Sequence, residues 1–293
     1  MIKVGTSGFS FPDWRGIVYP ENIRPRDVLP YYEKVMGFDC VEINFTYYTL
    51  PGVNTMKSLA EKTSGDFEFV VKAHRSMTHD PFDSRRAEKP DEEKIKESFQ
   101  KFYSSLLPLR DTGKLGAVLF QFPVFFYPGP KSMEYMLQAK EWLAGIPMVI
   151  EFRDKVWHNP ETYTFLKEND LSYCVVDEPP VGRLMPFVNE VTSSLSYLRF
   201  HGRNPRWFNV PASERYDYLY SEQELARFVP EIQKMEKRAR KSYVFFNNCH
   251  RGSAPRNALK MKELLGLIEK VSRESQDFLE RLKGEETQGE LFE

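Results

Sequence analysis

The chain has 293 residues, of which 41% are hydrophobic and 28% charged, with a formal net charge of −1. This balance excludes a disordered chain, and no apolar run approaches the roughly 20 residues of a membrane-spanning helix. Near-neutrality removes any compositional argument for nucleic acid while leaving room for a local basic surface. The N-terminus already reads as a strand rather than a secretory leader, so the expected location is the cytoplasm, without a membrane partner.

In chain order, short apolar runs rich in β-branched and aromatic residues fall at 2–6, 40–45, 67–73, 117–122, 148–152, 172–177, 197–201 and 243–247. They are nearly continuous rather than alternating, as parallel strands buried on both faces require. Helix-sized stretches lie between most of them, at 28–35, 54–62, 91–107, 131–143, 161–168, 222–241 and 256–267. About eight strands, each usually followed by a helix, closes a barrel. The expected fold is therefore α/β: a single (β/α)8 TIM-type barrel over residues 1–270, with a doubly wound open sheet as the alternative. Residues 271–293, rich in Glu, Lys, Arg and Gln, read as a charged helix ending in a flexible tail.

Three connections are too long to be simple turns, at 74–90, 178–194 and 202–220. All follow strands, so in a barrel all rise on the C-terminal face, where active sites are built. The three cysteines, Cys40, Cys174 and Cys249, form neither an even disulfide framework nor a metal knuckle. Cys40 and Cys174 sit in apolar runs and read as buried thiols, whereas Cys249 lies nearer a strand end.

Polar residues gather at the strand ends. They are Thr6 and Ser7, Glu42 and Asn44, Lys72 and His74, Gln121, Glu151 and Arg153, Asp177, Arg199 and His201, and Asn247 and Asn248. Members two residues apart share a strand face and can line the barrel interior. Buried charges must be paired, so this set is a self-compensated ion network, a ligand site, or both. Glu42, Glu151, Asp177 and His201 are the candidate acid–base residues. With carboxylate and imidazole donors they could also hold Mn²⁺, Zn²⁺ or Mg²⁺, although no tight ligand spacing supports a metal. Asn44, Lys72, Gln121, Arg153, Trp157, Arg199, Arg206, Trp207, Asn247 and Asn248 are the candidate substrate-binding residues. A bland reading of His201 is an imidazole bonded to nearby backbone. Trp207, Phe208, Tyr47 and Tyr48 either stack on a ligand or cap the core.

These same residues carry a resemblance. The opening Val-Gly-Thr-Ser-Gly-Phe-Ser-Phe-Pro-Asp-Trp-Arg-Gly at 4–16 is similar to the start of the YecE-like proteins, a family of unknown function. So are Val41 to Leu50, Lys72 with Thr78-His79, Gln121-Phe122-Pro123, Glu151-Phe152-Arg153 with Trp157, Arg199-Phe200-His201-Gly202 and Phe246-Asn247-Asn248. The matches run in order across nearly the whole chain and imply a TIM barrel, without supplying a reaction. His74 departs from the Lys-x-Pro pattern expected of that family.

The last residues include Gln288, Leu291 and Phe292, a Gln-x-x-Leu-Phe pattern that resembles the peptide by which bacterial DNA enzymes dock on the replication sliding clamp. Leu291 and Phe292 could equally fold back on the barrel. Two functional readings follow, the first favoured because the clamp-like peptide and the 203–208 loop both point toward DNA. In the first, a nucleic-acid-directed protein grips a phosphodiester with Lys72, Arg153 and Arg199, and the 203–208 loop supplies interleaved Arg and aromatic residues. In the second, an isomerase, epimerase or hydrolase acts on a sugar or small anionic metabolite, with Glu42 or Glu151 as base. A third reading makes the chain a non-catalytic scaffold working through its tail.

Overall fold

The computed structural model describes residues 1–85, 90–211 and 214–267. Eight parallel strands run β1 Ile2–Thr6, β2 Cys40–Ile43, β3 Glu68–Lys72, β4 Leu115–Gln121, β5 Met148–Glu151, β6 Ser172–Asp177, β7 Leu195–Phe200 and β8 Lys241–Phe246. The helices are α1 Val28–Lys34, α2 Val53–Glu61, α3 Arg75–Thr78, α4 Glu92–Asp111, α5 Pro130–Trp142, α6 Pro160–Glu168, α7 Glu222–Arg238 and α8 Ser253–Leu264. From β2 to β8 each strand pairs in parallel with the next, and β8 returns to pair with β1. The fold is a (β/α)8 TIM-type barrel.

Several boundaries differ from the sequence reading for physical reasons. The helix expected over 222–241 ends at Arg238, because Lys241 and Ser242 already pair in register with Leu195 and Ser196 of β7. The helix beginning near Asp91 continues through Pro108 to Asp111, while Asp91 itself caps it by accepting the Lys94 amide. The connection between β6 and β7 contains no helix. Its Pro179, Pro180 and Pro186 remove the amide donors that a helix there would need. The connection after β3 is not all loop, since it includes α3, whose N-cap is His74: its imidazole Nδ1 accepts the Ser76 amide.

The barrel closes at the β1–β2 seam through one isolated parallel bridge, Ser7 to Glu42. The strands approach so closely there that a Cβ on Gly5 would lie 2.4 Å from the Cys40 carbonyl oxygen, which is why glycine stands at this position. The remaining polar groups of the seam are met by a side chain. The Tyr32 hydroxyl accepts the Thr6 amide at 2.9 Å and donates to the Cys40 carbonyl at 3.2 Å, with its ring stacked on Phe38. Both strands are buried, so these backbone groups have no easy substitute.

Tyr32→Phe keeps the ring and removes the bridge. We expect it to cost about 1–3 kcal/mol in urea denaturation, the penalty for stranding buried backbone polar groups. A loss below about 0.5 kcal/mol, within the range of an ordinary surface substitution, would mean that the seam does not depend on the hydroxyl.

Candidate functional site at the barrel mouth

Strand register decides which side chains share the interior. Tyr197 is level with Cys174 and Tyr243, and Arg199 with Val176 and Phe245. Glu151 is level with Gln121, and Glu42 is bridged to Ser7. Residues level with one another in a parallel sheet point to the same face, and that face recurs every second residue. The ion pairs from Arg199 to Glu42 and Glu151, across the barrel, identify it as the interior. The same parity carries Asn44, Lys72, Arg153, Glu178, His201 and Asn247 toward the lumen above them.

The deeper layer is closed and self-neutralising. Arg199 Nη1 donates to Glu151 Oε2 at 2.6 Å, and its Nη2 donates to Glu42 Oε1 at 2.7 Å and Ser7 Oγ at 3.3 Å. Tyr197 donates to Glu42 Oε2 at 2.6 Å. Glu42 and Glu151 are fully buried and Arg199 very nearly so. Arg153 adds an ion contact from Nε to Glu151 Oε1 at 2.7 Å. Burial alone would raise the Glu151 carboxyl, but Arg153, Arg199 and His201 hold it well below the usual carboxylate range. The network expected as one alternative from the sequence is therefore present as the floor of the mouth.

Above the floor lies a more open layer. Lys72, Gln121, Asn44, Tyr47, His79 and Asn247 are all half-buried. Gln121 Oε1 accepts from Lys72 Nζ at 2.7 Å and from Arg153 Nη2 at 3.2 Å. Arg153 Nη1 donates to Glu178 Oε2 at 3.1 Å, and Glu178 Oε1 accepts the Met185 amide. The ammonium of Lys72 sits 4.7 Å from the centre of the Tyr47 ring, whose edge meets His79.

Electrostatics separate the two layers. Burial, with Arg199 and Arg153 against Glu151 and Glu42, lowers Lys72 to about 7. Burial, opposed by Arg153, raises Glu178 to about 7. His201 is fully buried, and that burial, with Arg153 and Arg199, lowers it to about 3, so it is neutral at physiological pH. With the Asn247 amide donating to its Nδ1 at 2.9 Å, its proton lies on Nε2, 3.3 Å from Glu151 Oε1. Glu151 Oε1 is thus met by Arg153 Nε and His201 Nε2, while Asn44 Oδ1 is buried beside them without a hydrogen-bond partner.

Other candidates lie elsewhere. Asp177 has the opposite parity: it points outward and accepts from Arg203 and from Tyr220 at 2.6 Å. Its neighbour Glu178 takes the interior place, and neither strand chemistry nor charge distinguished the two in the sequence. Asn248 likewise turns outward, donating to the Tyr218 carbonyl and to Asn257. Trp157 is buried in a stack with Phe152 and Phe126 and donates to the Phe126 carbonyl, so it packs the loops rather than facing the lumen. Trp207 is also buried and, with Tyr216, covers His201, whereas Arg206 is exposed on the same loop. Cys249 is buried, which pushes its thiol up and leaves it unreactive. Glu42, Glu151 and His201 share the lumen while Asp177 stands outside it, and among the described residues no three His, Cys, Asp or Glu side chains are placed to hold a metal ion. Gln288, Leu291 and Phe292, with the expected tail helix, lie outside the described residues. No helix among the described residues is long and apolar enough to cross a membrane.

Comparisons agree with this architecture. A profile of the family described as "Protein of unknown function DUF72" matches residues 3–279. The UPF0759 protein YunF of Bacillus subtilis is 30% identical over 284 residues, covering 91% of this chain and 95% of that protein. The crystal structure of the DUF72 family protein TM1631 from Thermotoga maritima is 41% identical with a TM-score of 0.82, covering 91% of this chain and 99% of that one. That of EF0366 from Enterococcus faecalis, another DUF72 family protein, is 28% identical with a TM-score of 0.78, covering 92% and 97%. With a family profile spanning nearly its whole length, and with relatives of the same fold, this chain belongs to the DUF72 family.

Proposed function

We propose that the mouth is the site of an acid–base enzyme acting on a small anionic substrate. One observation carries this reading. Among the described residues, Lys72 has no carboxylate within ion-pair distance; it meets only the neutral Gln121 and Tyr47. The two deep carboxylates are already claimed by Arg153 and Arg199. A carboxylate or phosphate from outside completes Lys72 as no internal group does. Lys72 and Glu178, both titrating near neutrality, form the proton-exchanging pair, linked through Gln121 and Arg153. Glu42, Arg199 and Tyr197 then serve as a rigid electrostatic floor, and His201 orients Glu151.

The nucleic-acid reading is favoured by one feature. Phe45, Tyr48, Tyr127 and Phe208 are exposed on loops that follow strands, where they could stack on bases beside a phosphodiester held at the mouth. The two readings part in a melting and gel-shift experiment on the full chain. Under the first, inorganic phosphate and glyoxylate raise the melting temperature saturably, and Lys72→Met abolishes the rise. Under the second, a labelled single-stranded oligonucleotide is retarded at low salt and released steeply as salt increases. Absence of any anion effect on the wild-type protein sinks the first.

Two stability measurements separate mouth from floor. An unfolded lysine titrates near about 10.4, so between about 7 and about 10 the unfolded chain holds more protons than the folded one at Lys72. Stability contributed at this position therefore rises with pH across that window. The groups facing Lys72 are Arg199, Arg153, Glu151, Glu42, His79, Tyr47 and Gln121; all remain in Lys72→Met, so the difference between variant and wild type isolates the lysine. We expect the variant to be the more stable below about 7, with the gap narrowing toward about 10; a constant gap contradicts the lowered titration. By contrast, Arg199→Leu strips buried Glu42 of its cation and Glu151 of one of two, and should cost about 3–5 kcal/mol in denaturant unfolding. A loss under about 1 kcal/mol would show that the floor is not an ion-paired unit.

A further inference from the structure

The side chain on which the anion reading rests has a second property. Lys72 closes β3 on the interior face, is half-buried, and presents its Nζ to the lumen between Gln121 and the Tyr47 ring. Of its three N–H bonds, one is directed to Gln121 Oε1 at 2.7 Å, and the described residues provide no other acceptor. It stands on a rigid strand rather than a loop, with its stem among buried residues of β3. On one side are the positive guanidinium groups of Arg153 and Arg199, and on the other a Tyr47–His79 edge contact at 4.9 Å. Cationic neighbours favour a nucleophilic amine, whereas a lysine used only to hold charge is normally met by a carboxylate.

We propose that Lys72 is a covalent nucleophile that forms an imine with an aldehyde or ketone group of the anionic substrate. This rests on the reading of the mouth as a small-molecule site and narrows its substrate to anionic carbonyl compounds. The reaction balances without an oxidant or reductant. The neutral amine attacks the carbonyl carbon, a C–N bond forms, and the carbonyl π pair moves to oxygen. That oxygen takes up two protons, one released by the amine as the ammonium ionises and one from the nitrogen of the carbinolamine, and leaves as water. Overall an ammonium and a carbonyl give a protonated imine and one water. Arg153 stands beside Gln121, where the oxygen charge develops, and Glu178, which titrates near neutrality, is the proton reservoir of the same hydrogen-bonded chain. The positive nitrogen that results withdraws electrons from the carbon next to the former carbonyl, which is how imines promote proton removal or carbon–carbon cleavage there.

About half of this amine is free base at neutral pH. At neutral pH a lysine titrating near 7 has about a thousandfold more free base than one near 10.4. Part of that advantage is lost to the lower nucleophilicity of a weaker base.

The test is reductive trapping on the full chain. Glyoxylate, pyruvate or glyceraldehyde 3-phosphate is added at neutral pH with cyanoborohydride, and adducts are located by peptide mass mapping. The expected result is an adduct at Lys72 at least roughly tenfold above any other lysine, suppressed by excess phosphate and absent in Lys72→Met and Lys72→Arg. Melting curves on both variants verify that they are folded. Adducts spread evenly over surface lysines, while phosphate still stabilises the protein in a Lys72-dependent way, overturn the imine and leave the anion site standing. No adduct and no phosphate stabilisation overturn both.

Discussion

The structure turns on the bridge that Arg199 makes between Glu42 and Glu151. An ionised carboxylate inside a barrel costs several kcal/mol unless it is paired and hydrogen-bonded. Here one guanidinium on β7 reaches β2 and β5 at once, and its Nη2 also touches Ser7 beyond the end of β1. The planar fork of arginine can address two carboxylates in this way, whereas the single ammonium of lysine cannot. Tyr197, two residues earlier on the same face, satisfies the second oxygen of Glu42. Four strand ends are thus tied by one charge cluster, and their separation is set by hydrogen-bond lengths rather than by apolar packing alone.

Once that cluster is neutral, the residues above it are left with a different balance. Arg153 divides its donors between Glu151, Gln121 and Glu178, and so links the floor to the mouth. Lys72 receives no share of the carboxylates, and Glu178 is opposed mainly by its own burial. Lys72 and Glu178, whose protonation changes near neutrality, therefore sit above the floor, and Glu151, whose carboxyl is held well below the usual range, sits in it. A site that must move a proton while keeping its shape needs this division.

Much of the architecture was legible in the sequence because parallel barrel strands are buried on both faces and stand out as continuous apolar runs. Ile2–Thr6 and Ser172–Asp177 occupy the span expected of them. The same property hid the orientation of β6. With Tyr173, Cys174, Val175 and Val176 all apolar, neither parity announced itself, and the choice between Asp177 and Glu178 depended on a register visible only through β5 and β7. Asn247 and Asn248 posed the same problem, and Asn257 on α8 resolves it by claiming Asn248 from outside. His201 stood out as a titratable group at a strand end, but nothing in its neighbours along the chain tells that Arg153 and Arg199 hold it neutral. His79 carried a motif match, yet its place against Tyr47 depends on the short helix α3, which a stretch of His, Arg, Asp and Pro does not advertise.

The closure of the barrel and the chemistry of its mouth depend on the same seam. Glu42 is both the residue bridged to Ser7 across β1 and β2 and the carboxylate held by Arg199. Tyr32 completes the backbone hydrogen bonds of that seam from the helix side, while Tyr197 and Arg199 complete Glu42 from the lumen. A small shift of β1 against β2 would move Ser7 and Glu42 together, and through Arg199 it would alter Glu151 and then Arg153. Close-packed interiors pass on such displacements because they have no room to absorb them. The position of Lys72 relative to Arg153 is thus tied, through Gln121, to the seam at which the barrel is sealed. The mouth acquires its geometry only when the barrel is complete, which couples the competence of this site to the integrity of the whole fold.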